Sequence, residues 1–171
     1  MLRTLTLGLL ATILLMGCGF QLRGTGFDSL AGSKVQLVIE QPWSPLAREL
    51  RQSFARYEVD VDVVSALSES EFGIKIDRVV EQREVISVDA DGRPAEYDNR
   101  LLAIVLFQPK DKPVVQEQIR VQRDYRFDKN NSLAFDRELR IQTEQMTAQL
   151  ARRITRQMLE LMEKPASEKS E

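Results

Sequence analysis

Few side chains in this chain could do covalent chemistry. Its 171 residues include a single cysteine, Cys18, and no histidine. The lack of histidine excludes a Ser-His-Asp or Cys-His nucleophile and a histidine metal site. Neighbouring carboxylates, such as Glu69 and Glu71 or Asp60 and Asp62, lie in polar runs that are typical of solvated surface, and no glycine-rich phosphate loop occurs. We therefore expect no catalytic residue, no metal and no cofactor.

Cys18 closes a segment with the composition of a secretory signal peptide. Arg3 supplies the basic start, and residues 5–16 form an apolar stretch. The run Leu-Met-Gly-Cys at 15–18 resembles a bacterial lipobox, which implies cleavage before Cys18 and acylation of its thiol. A transmembrane helix needs about 20 apolar residues, whereas segment 5–20 is shorter and is interrupted by glycines. The sequence thus predicts a signal peptide over residues 1–17 and a lipid anchor at Cys18.

Without this signal, the remaining chain of residues 18–171 has the size of one domain. Cleavage removes only Arg3 from the 24 basic residues, which leaves them nearly balanced against 26 acidic ones. This balance argues against a nucleic-acid partner, so any anionic ligand must meet a local basic patch. Since no cysteine follows the anchor, no disulfide is expected.

The sequence of the first half of the domain predicts a strand, a helix and a second strand. A β-branched run over 35–39 predicts a strand. Ser44 and Pro45 form a helix start signal, and the apolar residues that follow recur every four residues, at Leu46, Leu50 and Phe54. Strict alternation over 59–63 predicts a second strand with one solvated face. These elements could form a small crossover unit.

The sequence of the second half predicts three long antiparallel strands and a final helix. A strand over 72–89 changes its alternation around residues 81–84, as at a bulge. The Asp-Gly signal at 91–92 predicts a hairpin, and strands follow over 95–107 and 114–127, separated by a turn with two prolines. A helix is expected from about 132 to 162. The apolar face predicted for this helix consists of Leu139, Met146, Leu150, Ile154, Met158 and Leu161.

The predicted fold is an α/β (α+β) two-layer sandwich, with two helices on one face of a mainly antiparallel sheet of four or five strands. We divide the chain into signal peptide 1–17, lipidated tether 18–33, a single domain 34–163 and a disordered polar tail 164–171. Seven consecutive apolar residues at 101–107 place hydrophobic side chains on both faces of one strand. Either loops cover the second face, or that face packs against a partner protein.

Several stretches resemble the LptE family of lipopolysaccharide-assembly lipoproteins. The most specific is Gly-Phe-Gln-Leu-Arg-Gly at 19–24, directly after the lipobox cysteine. The order of elements, the Asp-Gly hairpin followed by Ala-Glu-Tyr at 95–97, and the long final helix are also similar. The resemblance spans most of residues 18–162.

This resemblance implies a location, partners and a role. Family members are anchored at the periplasmic side of the Gram-negative outer membrane and form a plug inside the LptD β-barrel. They help this barrel to assemble and take part in lipopolysaccharide transport to the outer leaflet, without catalysing a reaction. Gly19 agrees with an outer-membrane location, because an aspartate after the lipidated cysteine resembles a retention signal for the inner membrane.

The resemblance also implies that basic residues bind lipopolysaccharide, whose phosphates accept charge-assisted hydrogen bonds. Arg120 matches a basic family position, whereas Ala90 stands where the family has its hairpin cation, with Arg93 nearby. The predicted binding residues are Arg93, Lys110, Lys112, Arg120 and Arg123. Each of them could equally be an ordinary solvated charge. The alternative function is a stand-alone periplasmic lipoprotein that acts as adaptor or inhibitor for another envelope component.

Overall fold

A computed structural model describes residues 30–126 and 132–163. The predicted signal peptide, most of the tether and the polar tail lie outside these residues. The elements follow in the order β1 (Lys34–Ile39), α1 (Pro45–Ala55), β2 (Asp60–Val63), β3 (Phe72–Val88), β4 (Pro94–Gln108), β5 (Val115–Arg126) and α2 (Ser132–Glu163). This order agrees with the sequence prediction.

Five strands form a single mixed sheet in the order β2-β1-β3-β4-β5. β1 pairs in parallel with both β2 and β3, while β3, β4 and β5 form the predicted antiparallel meander. The two helices pack together and contact the sheet through β2, β4 and β5. The expected α+β fold and the parallel crossover from β1 through α1 to β2 are therefore confirmed.

Helix α1 begins where its sequence signals predict. The Ser44 hydroxyl accepts a hydrogen bond from the Ala47 backbone N–H at 3.2 Å, and Pro45 occupies the first turn, where its missing N–H costs nothing. One face of the helix buries Leu46, Leu50 and Phe54, as their spacing predicts. The N-terminal cap and the buried apolar face together fix this helix against the sheet.

The core lies between the helices and one face of the sheet. Helix α2 contributes Met146, Leu150, Ile154 and Met158, which are almost fully buried, and β4 contributes every second residue of its apolar run. Five arginines of α2 are exposed, namely Arg137, Arg140, Arg152, Arg153 and Arg156. Neither described helix combines the length and the apolar composition that a membrane span needs.

Strand β3 departs from the prediction in detail. Its register with β4 shifts between Ile76 and Arg78, and again between Val85 and Val88. The expected change of phase therefore occurs as two irregularities that flank residues 81–84, not as one change within them. Each extra residue moves the following side chains to the opposite face of the sheet.

Candidate functional site

The sheet face turned away from the helices carries a row of aliphatic side chains, called here the apolar stripe: Leu102, Ile104 and Leu106. These residues of β4 are half-buried. They alternate with Leu101, Ala103, Val105 and Phe107, which point to the helices and are at most 6% exposed. The seven-residue apolar run therefore serves both faces, as its sequence predicts, and leaves an apolar surface on the side without helices.

Two arginines border this stripe on either side. On β3, Arg78 lies opposite Ile104, and on β5, Arg120 lies opposite Leu102. Side chains directly opposite each other on one face have Cβ atoms about 4.5–5.5 Å apart. Among the described residues, no ion pair involves Arg78 or Arg120. The stripe is thus an aliphatic surface with a guanidinium group on each flank.

A third cation at the end of the stripe is already paired. Lys75 lies opposite Leu106, and its Nζ is 3.7 Å from Asp77 Oδ1. Both side chains are substantially exposed, so water screens this ion pair and it adds little to stability. Lys75 can therefore exchange its partner for another anion at low cost.

Further along the same face, the charges neutralise one another. Arg100 forms an ion pair with Glu84 at 3.0 Å and a second, close one with the buried Asp98. At the distal end, Arg126 Nε and Nη2 donate to Glu96 Oε1 at 3.1 and 2.9 Å, and the Ser87 hydroxyl donates to Oε2. The hydrogen bonds from Arg126 and then from Ser87 lower the pKa of Glu96. On this sheet face, the described arginines without an ion pair therefore lie beside the apolar stripe.

The structure separates the five basic residues that the sequence suggested. Arg93 lies at the β3–β4 hairpin, whereas Lys110 and Lys112 lie at the β4–β5 turn. Because the 15 residues of β4 separate these turns, they are about 45 Å apart. Only Arg120 borders the apolar stripe, since Arg123 points to the helical side and donates to Gln145 Oε1 at 2.7 Å.

Arg78 was missed by sequence reasoning. In an uninterrupted strand it would share the helical face with Ile74 and Ile76, because side chains alternate along a strand. The register shift after Ile76 instead places it opposite Ile104, on the face without helices. The adjacent pair Val79-Val80, which breaks the alternation, is the signal that could have revealed this shift.

A cleft of about 320 Å³ opens between the start of α1, the irregular part of β3 and helix α2. Its apolar walls include Ile39, Leu46, Val79 and Leu150, and polar residues such as Glu81 also line it. Within residues 30–126 and 132–163, no group of acidic or cysteine side chains is placed to hold a metal ion. The exposed lining of the cleft is mainly apolar, which suits an apolar group.

The sequence profile of a family described as "LptE: Lipopolysaccharide-assembly" matches residues 34–158. The chain belongs to the LptE family. An LPS-assembly lipoprotein LptE from Photorhabdus laumondii is 32% identical to it over 159 residues, with 91% of this chain and 84% of the relative covered. A Yersinia pestis protein of the same name is 32% identical over 160 residues, covering 91% of this chain and 74% of the relative.

Solved structures give the same fold. Rare lipoprotein B from Shewanella oneidensis superposes with a TM-score of 0.67 at 21% identity, covering 75% of this chain and 95% of that protein. An uncharacterised lipoprotein B from Nitrosomonas europaea gives 0.61 at 19% identity, covering 81% and 89%. As an LptE family member, this chain is a component of lipopolysaccharide assembly and not an enzyme.

Proposed function

We propose that this LptE family member is an outer-membrane lipoprotein that plugs the LptD β-barrel, helps it to assemble and contacts lipopolysaccharide on its way to the outer leaflet. Family membership over residues 34–158 is the observation that carries the proposal. Cys18 provides the lipid anchor at the periplasmic side of the membrane. One acyl chain alone binds a bilayer only marginally, so stable anchoring requires more than one chain at this cysteine.

The apolar stripe supports a role in a complex. Leu102, Ile104 and Leu106 stay partly accessible although they form the middle of the sheet, where aliphatic side chains are normally covered. A barrel wall packed on this face would cover the stripe. An adaptor or inhibitor would also need a surface for its partner, so it is family membership over residues 34–158 that disfavours the alternative function.

Arg120 and Arg78 are the cations best placed for lipopolysaccharide. Each stands beside an aliphatic side chain of the stripe and has no carboxylate partner among the described residues. A phosphate next to an acyl chain presents the matching combination of charge and apolar surface. Arg93, Lys110 and Lys112 would have to act at the ends of the sheet, far from this pair.

Charge reversal tests the binding role. Arg120→Glu should weaken lipopolysaccharide binding about 10- to 100-fold, the loss expected when a charged hydrogen bond of about 1.5–3 kcal/mol is removed. Arg123→Glu is the matched control, because it makes the same change on the same strand but on the helical side. Equal binding by both variants and the unchanged protein, measured with purified lipopolysaccharide, would remove Arg120 from the site.

A pull-down from native membranes in mild detergent tests the partner. The anchored chain should recover one large β-barrel protein in a stable complex. Recovery of the chain alone, or with only small envelope proteins, would favour the alternative of an adaptor or inhibitor lipoprotein.

A further inference from the structure

Strand β3 changes its position in the sheet along its length. Its first part, up to Ile76, lies between β1 and β4, but β1 ends at Ile39, which pairs with Ile76. From Arg78 onward, β3 pairs only with β4 in the described part of the chain. The distal edge, defined here as residues 78–85 of β3, is therefore an open strand edge about 25 Å long.

The hydrogen-bond pattern shows which backbone groups point outward from this edge. The Val64 N–H donates to the Leu37 carbonyl at 3.0 Å. The backbone N–H and C=O groups of odd-numbered β1 residues therefore point to β2, and those of even-numbered residues point to β3. The register then makes Gly73 and Gln108 a hydrogen-bonded pair, and likewise Arg78 and Ile104 beyond the irregularity. The backbone groups with no partner in β4 belong to Val79, Glu81, Arg83 and Val85.

The outer edge at β2 is short and charged, and the outer edge at β5 is capped at one carbonyl. β2 has only four residues and carries two exposed aspartates. On β5, the Arg153 guanidinium of α2 donates to the outward carbonyl of Arg120. Short edges and capped edges are the usual devices against unwanted strand pairing. The distal edge of β3 instead exposes Val79 by 43% and Val85 by 49%.

We propose that the distal edge accepts an extended segment of the barrel protein as an added strand; this inference rests on the function proposed above. In strand addition, backbone hydrogen bonds provide affinity and pockets for alternate side chains provide specificity. The cleft beside Val79 and Glu81 is such a pocket, at the place where the added strand would end against β1. The sheet edge and the cleft thus form one continuous docking surface.

The edge also specifies the chemistry of its partner. The segment should place a large apolar side chain over the cleft near Val79, a basic one opposite Glu81 and an acidic one opposite Arg83, because opposed charges on neighbouring strands attract. The strands of a closed barrel have no free edges. The added strand must therefore come from an extended loop or a terminal segment of the barrel protein.

A second copy of this chain fits less well. Antiparallel self-pairing centred on Gln82 would match Glu81 with Arg83, but it would place Val88 of the second copy opposite Ile76, which already pairs with Ile39. Centring the pairing on Arg83 avoids this overlap but places two arginines opposite each other, which is unfavourable. A segment without the β3–β4 hairpin meets neither obstacle.

Proline substitution tests the inference in the full anchored chain. Arg83→Pro removes an N–H that points outward and keeps the backbone hydrogen bonds between β3 and β4. Strands tolerate proline at such edge positions. It should fold and recover at least about 10-fold less barrel protein from native membranes. Arg83→Ala, which keeps the N–H, should lose less. Gln122→Pro is the matched control, since the β4 register makes its N–H point outward from β5.

Amide hydrogen exchange provides a second readout if Arg83→Pro does not fold. In the complex of the unchanged chain, exchange at Glu81 and Arg83 should slow at least about 10-fold relative to the free chain. The proposal is overturned if these amides exchange at equal rates in the free chain and the complex, or if a folded Arg83→Pro recovers as much barrel protein as the unchanged chain. It is also overturned if Arg83→Ala or Gln122→Pro reduces the recovery of barrel protein as much as Arg83→Pro does. Formation of a homodimer through this edge would overturn it as well. If the unchanged chain recovers no barrel, the proposed function itself fails.

Discussion

Adjacent residues of β4 should respond in opposite ways to the same substitution. Val105 is fully buried under the helices, and Glu117 lies directly opposite it on β5. Val105→Asp loses about 1.5–3 kcal/mol of apolar burial, and an unpaired carboxylate in the core adds several more. The expected loss exceeds about 4 kcal/mol, a large part of the 5–15 kcal/mol typical of a domain.

Ile104→Asp makes the same chemical change one residue away. Ile104 belongs to the half-buried apolar stripe and lies opposite Arg78. The new carboxylate would stay hydrated and gain about 0.2–1 kcal/mol from its cross-strand cation, which offsets part of the lost burial. We therefore expect a change in unfolding free energy within about 1 kcal/mol, together with a marked loss of the barrel partner.

Thermal unfolding of the isolated chain and a pull-down of the barrel measure the two effects. For a domain of this size, 1 kcal/mol corresponds to a shift of about 2–8 °C, so Val105→Asp should lower the Tm by more than about 10 °C or prevent folding. Equal destabilisation by both variants would show that the stripe is core. A folded Ile104→Asp that keeps its partner would move the interface away from the stripe, to the distal edge of β3, the loops or the helices.

Three further predictions concern the anchor, the core and one ion pair. Cys18→Ala should abolish labelling with a palmitate analogue, and retained label would contradict the anchor. Leu150→Ala, in a fully buried position, should cost about 2–5 kcal/mol in chemical unfolding, whereas less than about 0.5 kcal/mol would mean an exposed helix face. Because the Arg126 contact lowers the pKa of Glu96, this ion pair should stabilise the fold fully at pH values above the ordinary glutamate pKa of 4.5. The stabilisation should be lost as the pH falls below that value and through the lowered pKa. Glu96→Gln should therefore flatten the acid side of the stability profile, and an unchanged profile would contradict this.

The sequence was sufficient for most of the fold because its signals are local. Ser44 and Pro45 determine the start of α1, and the spacing of Leu46, Leu50 and Phe54 determines its buried face. The Asp-Gly pair behaves likewise, since Gly92 has a φ of 75° and the Asp89 carboxylate accepts from the Asp91 and Arg93 backbone N–H groups. Such features depend on a few neighbouring residues and can be read without knowing the tertiary structure.

The candidate site was less predictable because it depends on register. The three-residue spacing of Arg120 and Arg123 predicts that they lie on opposite faces of β5, which is confirmed, but which of them lies away from the helices depends on the register. Arg93 and Lys110 are both turn cations, yet the length of β4 keeps them far apart. Which strand lies beside β3, and where that pairing stops, is a long-range property that local composition does not encode.

A single residue, Asp77, connects both surfaces of this molecule. It is the unpaired residue between Ile76 and Arg78, where the register with β4 shifts. Because of it, Arg78 lies beside the apolar stripe, whereas strict alternation would place it over the helical core. The same shift determines that Val79, Glu81 and Arg83 present their backbone groups outward. Bulges of this kind aim side chains at functional surfaces and end strand pairing. Here the irregularity lies where β1 stops, so the cationic flank of the stripe and the open distal edge have a common structural origin.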